Sequence, residues 1–523
     1  MPRFFNTAGP CDPEDHFMLP AEHRLPSVRE LIVQKLYFVV HAPRQSGKTT
    51  CLRAFARALT SEGRHAAVLA SCEAAQPAGG DLDRGIAALL SSVEFAAQRL
   101  PEALRPLPPE ALAGVPAETR LIHYLTRWAA KAPLPVVLFL DEIDALLDET
   151  LLSVLRQLRA GYGERPDRFP QSIGLIGLRD VRDYKVRIRP ESASLGTSSP
   201  FNVKVRSLRL SNFTPDEVAA LLVQHTAETG QRFEPDALSL AWELTRGQPW
   251  LVNALARQVV EDDVRDRSVA VTRAHVEAAK DTLILRRDTH LDSLADKLRE
   301  ERVRRVIEPV LAGDLPDLDR YDDDAAYVED LGLIERRTGA PPRIANPIYH
   351  EVIPRALAFA VQESLPQRSV WYVGADGLLL TTKLLDEFQA FWRQHAEPLL
   401  RQQPYPEAAP HLIFFGFLQR IVNGGGTVDR EYAVGSGRMD LCVRWRHPGG
   451  EQREAFEIKV WRDKRADPQP EGLDQLADYL VRLGLEHGAL LLFDRRSTAP
   501  PLAERCSSQQ IEHRGKSIRV LRL

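Results

Sequence analysis

The sequence has few cysteines, no long apolar run and no strong excess of charge of one sign. Its five cysteines, Cys11, Cys51, Cys72, Cys442 and Cys506, are scattered over 523 residues without a CxxC pair. This spacing argues against a disulfide scaffold and against a zinc site, so we expect free thiols in a reducing compartment. The formal net charge of −4 means that any contact with nucleic acid must come from a local basic surface.

No segment is apolar for long enough to cross a membrane, because Asp or Glu interrupts each apolar stretch. The first residues, MPRFFNTAGPCDPEDHF, lack the apolar region of a signal peptide. We therefore expect a cytoplasmic protein without a membrane segment. With 44% hydrophobic and 27% charged residues, and a length beyond one usual core, the chain should form several globular domains.

The N-terminal part of the sequence alternates between candidate strands and helices as far as residue 210. This pattern is typical of a parallel sheet that is covered on both faces. The candidate strands are 36–40, 65–70, 136–140, 173–178 and 203–210. A Pro-rich connector interrupts them at 100–116, and a Ser-rich stretch near 190–200 predicts a loop. At TPDE, Thr214 and Glu217 form a predicted capping box that begins a helical region.

The C-terminal part suggests two further folded modules. Residues 290–365 combine short helices with YVEDLGLIERR and RIANPIYHEVI, which fits a winged-helix module, and a plain helical spacer is the alternative. A helical linker is predicted at 366–404. In 405–523, two β-runs, one helix and two more β-runs follow a Gly-rich break at NGGG, which indicates a small α/β domain.

The segment APRQSGKTT follows the strand LYFVVH and precedes a helix. Phosphate oxygens need many donors, and the backbone N–H groups of such a loop supply them together with the helix N-terminus. We expect Lys48 to reach the β- and γ-phosphates of a nucleotide and Thr49 to hold Mg²⁺. Ala42 replaces the first glycine of G-x-x-x-x-G-K-[ST], and alanine fits there if its φ stays negative. The predicted nucleotide-binding residues of the loop are Ala42, Pro43, Arg44, Gln45, Ser46, Gly47, Lys48, Thr49 and Thr50.

The stretch VVLFLDEID, residues 136–144, supports this interpretation because an apolar strand ends in two carboxylates. Asp141 is expected to bind the Mg²⁺ shell, and Glu142 to orient or deprotonate the attacking water. Arg179, which follows the strand SIGLIGL, is a candidate for contacting the γ-phosphate, and a plain surface arginine is the alternative. Arg156 and Arg159 follow on a helix after Asp141, where they either reach a neighbouring subunit or face solvent.

These motifs, with Gly247-x-Pro249 at the start of a later helix, resemble the AAA-like and STAND-type P-loop ATPases of prokaryotes. The resemblance spans about residues 6–360. It implies ATP and Mg²⁺ as cofactors, and it allows a nucleotide-dependent homo-oligomer. The N-terminal half is thus predicted to consist of three parts: an N-terminal segment (1–30), a P-loop NTPase domain (31–210) and a helical lid (211–289).

Near the C-terminus, REYAVGSGRMDLCVRW and REAFEIKVW flank a turn at HPGG and should pair as a hairpin. A turn centred near residue 449 places Asp440 opposite residue 457 or 458. With period-two alternation, Glu457 and Lys459 share one face of the sheet. Two carboxylates and a lysine there would hold one or two Mg²⁺ ions against a phosphodiester. The helix GLDQLADYLVRLG adds Gln475 and Tyr479 at i and i+4.

This order of an Asp, an ExK and a QxxxY helix resembles the PD-(D/E)XK nuclease superfamily over about residues 405–523. The resemblance implies Asp440 and Glu457 as metal ligands. It implies the same two residues, together with Lys459 and Gln475, as catalytic residues. For the additional acidic ligand, Glu431 and Glu407 both stay open. The ordinary solvated face of an antiparallel sheet also alternates in charge, and this is the alternative explanation for ExK.

Three functional hypotheses follow from the fused motif sets, and the last is an ATPase whose C-terminal domain contributes only structure. The first is an ATP-binding and hydrolysing protein whose ATPase module regulates a Mg²⁺-dependent DNA nuclease. The second is a STAND-like, ATP-driven switch whose C-terminal domain binds nucleic acid without cleaving it. ATP and DNA are the expected partners under the first hypothesis.

Overall fold

The computed structural model describes residues 2–179, 204–286, 296–311, 322–337, 341–364, 372–402, 409–422, 426–434 and 437–523. The chain divides into two compact units, described separately below. The first comprises Met1–Leu285 and Tyr327–Leu333, and the second comprises Arg286–Ala326 and Ile334–Leu523. All five cysteines are free thiols, as expected. In the described ranges no helix is long and apolar enough to cross a membrane.

The first unit is built on a parallel sheet. Its strands are β1 (Tyr37–His41), β2 (Ala66–Ser71), β3 (Val136–Asp141), β4 (Ser172–Gly177) and β5 (Lys204–Arg209). Within the described residues the strand order is β2-β3-β4-β1-β5, and every neighbouring pair is parallel. Each strand lies within one residue of its predicted position. The predicted α/β parallel sheet is therefore confirmed.

Helices flank this sheet and continue after it. Those before β5 are α1 (Ala21–Arg24), α2 (Ser27–Val33), α3 (Lys48–Ser61), α4 (Leu82–Ala97), α5 (Ala117–Lys131) and α6 (Asp148–Ala160). Those after β5 are α7 (Pro215–Thr229), α8 (Pro235–Thr245), α9 (Pro249–Arg257) and α10 (Arg273–Arg286). Helix α7 begins at the predicted capping box, in which Thr214 accepts from the Glu217 N–H and Glu217 accepts from the Thr214 N–H.

Alternate residues of the central strands pack on opposite faces of the sheet. Tyr37 and Val39 pack with α4, α5 and α6, whereas Phe38 and Val40 pack with α2 and α3. Every residue of β3 and β4 is buried, as expected for parallel strands that are covered on both faces. This packing fixes the ends of β1 and β3, where the nucleotide motifs lie.

The predicted winged-helix module is not confirmed. The described residues within 290–365 form α11 (Glu301–Leu311), α12 (Asp323–Asp330), the short strands β6 (Ile334–Glu335) and β7 (Arg343–Ile344), and α13 (Pro347–Ser364). The end of α12 and the residues after it, Tyr327–Leu333, group with the first unit, whereas the flanking parts group with the second. The Ser-rich stretch near 190–200 lies outside the described residues.

The second unit contains a mixed sheet. Its strands are β8 (Gly426–Val434), β9 (Gly437–His447), β10 (Gly450–Trp461), β11 (His487–Asp494), β12 (Ser507–His513) and β13 (Lys516–Arg522). Its remaining helices are α14 (Thr381–Gln402), α15 (Ala409–Val422), α16 (Gln469–Leu483) and α17 (Leu502–Arg505). In the described residues the strand order is β12-β13-β11-β10-β9-β8, with β11 parallel to β10 and to β13.

The prediction of two β-runs before α16 and two after it was wrong in number. The first run divides into two antiparallel strands, β8 and β9, so three strands precede the helix, and three strands, β11, β12 and β13, follow it. The sheet is covered on both faces. Phe456 and Ile458 pack with α14 and α15, whereas Ala455 packs with Leu473 and Leu476 of α16.

Candidate functional site

The phosphate-loop motif lies between the end of β1 and the start of α3. The Lys48 ammonium donates to the carbonyl oxygens of Ala42 (2.7 Å) and Pro43 (2.8 Å). Ala42 is buried and is not among the described residues with positive φ, so alanine meets the backbone requirement at this position. The loop is thereby closed around the lysine that is expected to contact phosphate.

The residues expected to hold Mg²⁺ in the first unit lie beside this loop. The Thr49 hydroxyl donates to Oδ2 of Asp141 at 2.6 Å. Asp141 is buried at the end of β3, and this burial raises its pKa. The buried Ser46 hydroxyl has no hydrogen-bond partner among the described residues. An unsatisfied donor beside a hydroxyl–carboxylate pair fits a nucleotide with its divalent cation.

Glu142 follows Asp141 with a φ of 54° and is exposed. Its Oε2 accepts a hydrogen bond from the Ser71 hydroxyl at 2.8 Å. Sequence reasoning missed Ser71, although the parallel register of β2 and β3, which pairs Ser71 with Asp141, brings it there. Ser71 therefore fixes the orientation of the carboxylate that is expected to act on water.

Arg179, directly after β4, is held by residues from far along the chain. Its Nε lies 3.0 Å from Oδ2 of Asp330, and its guanidinium carbon lies 5.1 Å from the centre of the Tyr327 ring. Gly332 follows with a φ of 76°, and a Cβ there would lie 2.8 Å from Cγ of Pro43 in the phosphate loop. Tyr327–Leu333 thus packs against the phosphate loop and pairs with the arginine expected to contact the γ-phosphate.

The predicted N-terminal segment connects two nucleotide motifs of the first unit. The Cys11 N–H donates to the Thr50 hydroxyl at 3.0 Å, and the Trp250 indole N–H donates to the Thr7 carbonyl at 2.8 Å. Trp250 lies in α9, the helix that the Gly-x-Pro motif opens. The segment therefore contacts both α3 and α9.

Two arginines that sequence reasoning singled out lie on α6. Arg156 and Arg159 are both exposed, and neither has an ion-pair partner in the described residues. Their contact with another subunit stays a prediction.

The pKa of Lys48 makes a testable prediction. Burial lowers the pKa of the Lys48 amine to about 8, although the negative charge of Asp141 acts in the opposite direction. Phosphate stabilises the charged form of the Lys48 amine. Above pH 8 the amine must therefore take up a proton when ATP binds, whereas below pH 8 it is already charged. We expect ATP affinity to fall by up to about tenfold per pH unit above pH 8. Isothermal titration calorimetry between pH 7 and 9.5 measures this change.

The matched variant is Lys48→Arg, because a guanidinium stays charged throughout this range. Its ATP affinity should be independent of pH. An equal pH dependence in this variant and in the wild type would assign the titration to another group.

In the second unit the predicted hairpin is confirmed. Gly450 pairs with His447 and Phe456 pairs with Leu441, a register that places Asp440 opposite Glu457. Oδ2 of Asp440 accepts the N–H of Ile458 at 2.8 Å. Phe456 and Ile458 face the α14 and α15 side, so the carboxylate of Glu457 is on the α16 face, as period-two alternation predicts.

Glu457, Lys459 and Gln475 meet on this face. Nζ of Lys459 lies 3.1 Å from Oε1 of Glu457 and donates to Oε1 of Gln475 at 2.5 Å. Glu457 is only 3% exposed, and its Oε2 has no hydrogen-bond partner in the described part of the chain. Burial, together with the charge of Asp440, raises the pKa of Glu457. The four residues that the sequence singled out are therefore brought together.

Two residues of α16 support this arrangement and were missed from the sequence. Glu471 lies 3.7 Å from Nζ of Lys459 and accepts from Nε2 of Gln475 at 3.3 Å. A Cβ at Gly472 would lie 2.7 Å from Leu490 and 3.2 Å from Cγ of Lys459, so only glycine lets the helix approach this closely. The i, i+4 spacing of Glu471 and Gln475 is the signal that would have found the first of them.

The additional acidic ligand is not resolved between its two candidates. Glu431 lies in β8, but its side chain is outside the described residues, and Glu407 lies outside them altogether. Among the described side chains, no group of three or more His, Cys, Asp or Glu forms a metal cluster. The fit to a cation therefore rests on Asp440 and on the unsatisfied oxygen of Glu457.

The comparison with known proteins concerns the first unit. Residues 31–165 match the family described as AAA ATPase domain. No match is found among the curated proteins.

Several solved structures are similar in part. The Walker-type ATPase of Pyrococcus abyssi is 15% identical, with a TM-score of 0.49, over 67% of this chain and 99% of that one. RuvB of Thermotoga maritima, a Holliday junction branch migration motor, is 14% identical, with a TM-score of 0.34, over 62% and 90%. Cdc6p of Pyrobaculum aerophilum is 14% identical, with a TM-score of 0.34, over 64% and 93%.

The AAA match covers the phosphate loop, Asp141 and Glu142, and the structure places these residues at neighbouring ends of β1 and β3. The first unit is therefore an ATP-binding ATPase module with an AAA ATPase domain at residues 31–165.

Proposed function

We propose that this ATPase is joined to a Mg²⁺-dependent DNA nuclease of the PD-(D/E)XK type, located in the second unit and regulated by ATP. The observation that carries the proposal is the buried carboxylate of Glu457. One of its oxygens contacts Lys459, and the other has no partner in the described residues.

A plain ion pair does not account for this arrangement. Asp440 and Glu457 place two carboxylates against a single Lys459, and the repulsion from Asp440 adds to the cost of burying Glu457. An unsatisfied buried carboxylate oxygen costs several kcal/mol as a rule of thumb. A solvated sheet face would leave Glu457 exposed, whereas it is 3% exposed. A divalent cation would satisfy both carboxylates.

Asp440 and Glu457 would hold the cation, with Glu431 or Glu407 as a further ligand. Bound Mg²⁺ supplies charge stabilisation at the phosphorus and lowers the pKa of a bound water. Lys459 presents its amine on the same face, where it neutralises a phosphate oxygen or positions the water. Gln475 holds that amine because its Oε1 accepts a hydrogen bond from it.

In the first unit, we assign the phosphates of ATP to Lys48 and the backbone of the phosphate loop. Thr49 and Asp141 would hold the nucleotide's Mg²⁺. Glu142 would orient the attacking water. Ser71 would hold the Glu142 carboxylate in place before that water is bound.

The direct test uses the purified 523-residue chain with circular, linear and single-stranded DNA. Each substrate is incubated with Mg²⁺ or Mn²⁺, with and without ATP, and with EDTA as the metal-free control. We expect metal-dependent cleavage whose rate changes when ATP is added. Absence of cleavage from every substrate under all of these conditions would overturn the nuclease assignment and leave the ATPase.

A second candidate function, an ATP-driven switch that binds nucleic acid without cutting it, is favoured by the contacts of Tyr327–Leu333. Asp330 pairs with Arg179, and Gly332 packs on Pro43 of the phosphate loop. A γ-phosphate that attracts Arg179 would compete with Asp330 for it. Such competition would couple the bound nucleotide to the position of this segment.

Replacing Asp330 with asparagine tests this competition. The Arg179 and Asp330 side chains are only 12% and 15% exposed, so loss of the pair leaves a mostly buried cation without its counter-charge. We expect the variant to lose about 1 to 3 kcal/mol of stability and to melt a few degrees lower. ATP should restore more of this loss than ADP does, which differential scanning fluorimetry measures.

The control is Asp83→Asn, which removes an ion pair with Arg120. The Asp83 side chain is 75% exposed. Exposed pairs contribute about 0 to 1 kcal/mol, so its melting temperature should stay near that of the wild type. Equal recovery of Asp330→Asn with ATP and ADP would show that Arg179 does not contact the γ-phosphate.

A further inference from the structure

The face of β10 that carries Glu457 and Lys459 ends in an aromatic residue. Trp461 is the last residue of β10 and follows Lys459 by two positions, so both residues lie on the same face. Trp461 pairs in register with Asp494, the last residue of β11. Two connecting segments therefore leave the sheet side by side here. We call residues 461–467 and 494–497, with Arg522 at the end of β13, the basic rim.

Internal contacts hold the basic rim in place. The Arg496 guanidinium carbon lies 3.4 Å from the centre of the Trp461 ring, and the indole N–H donates to the Arg465 carbonyl at 3.0 Å. The Asp463 carboxylate accepts from the backbone N–H (3.0 Å) and the hydroxyl (3.1 Å) of Ser497, which joins the two segments. The rim is thus formed before any ligand binds, which reduces the entropic cost of binding.

Each carboxylate of the basic rim has a contact inside it, and two of the three are ion-paired. Asp494 pairs with Arg496 at 2.6 Å, and Asp467 pairs with Arg522 at 2.6 Å. Asp463 is held by Ser497. Six basic residues stand against these three acids, namely Arg462, Lys464, Arg465, Arg495, Arg496 and Arg522.

Lys464 and Arg465 are two of the exposed cations of this set. Neither has an ion-pair partner among the described residues. Because the chain as a whole has a formal charge of −4, this positive surface is local.

We propose that the basic rim binds the phosphodiester backbone of DNA and holds a strand against Asp440 and Glu457. The inference rests on the proposed nuclease function, because the two carboxylates alone would repel a polyanion. Cations that follow the end of the strand carrying Glu457 are what such a substrate requires. The continuity from Glu457 through Lys459 to Trp461 favours a phosphodiester over an acidic protein segment.

The test is equilibrium binding of a fluorescein-labelled DNA duplex, followed by anisotropy in Ca²⁺ or EDTA at several salt concentrations. The variant is Lys464→Ala with Arg465→Ala in the 523-residue chain. Each lost phosphate contact lowers the steepness of log K against log salt concentration by about 0.9, so we expect a decrease of about two and an affinity loss on the order of tenfold at 0.1 M salt. The matched control is Arg446→Ala, an exposed arginine near the turn at the opposite end of the hairpin.

The outcomes separate this inference from the proposed function. Unchanged affinity and salt dependence in the double variant, or an equal loss in Arg446→Ala, would overturn the rim assignment even if the wild type cleaves DNA. Weakened, less salt-dependent binding supports it, and that readout is independent of cleavage. Failure of the wild type to cleave while the double variant loses affinity would overturn the nuclease and retain the rim as a DNA-binding surface.

Discussion

Replacing Asp440 with asparagine is expected to lower the rate of Mg²⁺-dependent DNA cleavage by at least about a thousandfold. Asparagine keeps the shape of the side chain and can still accept the Ile458 N–H, so the hairpin should stay intact. It removes one of the two negative charges that would hold the cation. Stabilisation of the transition state by the metal contributes several kcal/mol, and each loss of about 1.4 kcal/mol lowers the rate tenfold. Cleavage of a labelled duplex under single-turnover conditions measures the loss.

Glu451→Gln provides the matched control, since it removes an exposed carboxylate from β10, the strand paired with that of Asp440, near the turn. This variant should cleave at the wild-type rate, and Asp440→Asn should hydrolyse ATP normally. Retained cleavage in Asp440→Asn would show that the carboxylate cluster is structural and that any nuclease activity lies elsewhere.

Lys48→Ala is expected to lower ATP hydrolysis by about a hundredfold or more. The Lys48 amine is positioned by two loop carbonyls before the nucleotide arrives, and a preorganised charge of this kind acts chiefly on the phosphoryl-transfer transition state. Steady-state phosphate release measures the effect. Lys131→Ala, at the exposed end of α5, is the control and should retain full turnover.

The same variant tests whether ATP regulates cleavage. With Lys48 replaced and Asp440 intact, addition of ATP should no longer change the rate of DNA cleavage. If ATP still changed the cleavage rate of Lys48→Ala as it does that of the wild type, the nucleotide would act outside the phosphate loop. If ATP changed neither rate, the two activities would be independent.

The nucleotide site could be predicted closely because its determinants are local in sequence. The loop, its lysine and the start of α3 are contiguous, and Asp141 ends an apolar strand that only a buried sheet position explains. The hairpin register of Asp440 and Glu457 was also predictable, because a single turn at Pro448 and Gly449 fixes every pairing that follows from it.

Other features had no local signal. The alternation through REYAVGSGRMDLCVRW is continuous, so a period of two cannot show where β8 ends and β9 begins. Arg179 and Asp330 are 151 positions apart in the sequence, and the residues around either one do not predict that the two side chains pair.

The placement of Tyr327–Leu333 affects how the protein can be divided into pieces. A chain trimmed after residue 285, which looks like a natural stopping point, would omit Asp330 and Glu329 and leave Arg179 and Arg209 without their counter-charges. ATP hydrolysis rates from such a fragment would be those of an enzyme that lacks the Tyr327–Leu333 contacts with Arg179 and the phosphate loop. A synthetic peptide spanning 323–333, added back to the fragment, would reveal how much of the behaviour belongs to those few residues.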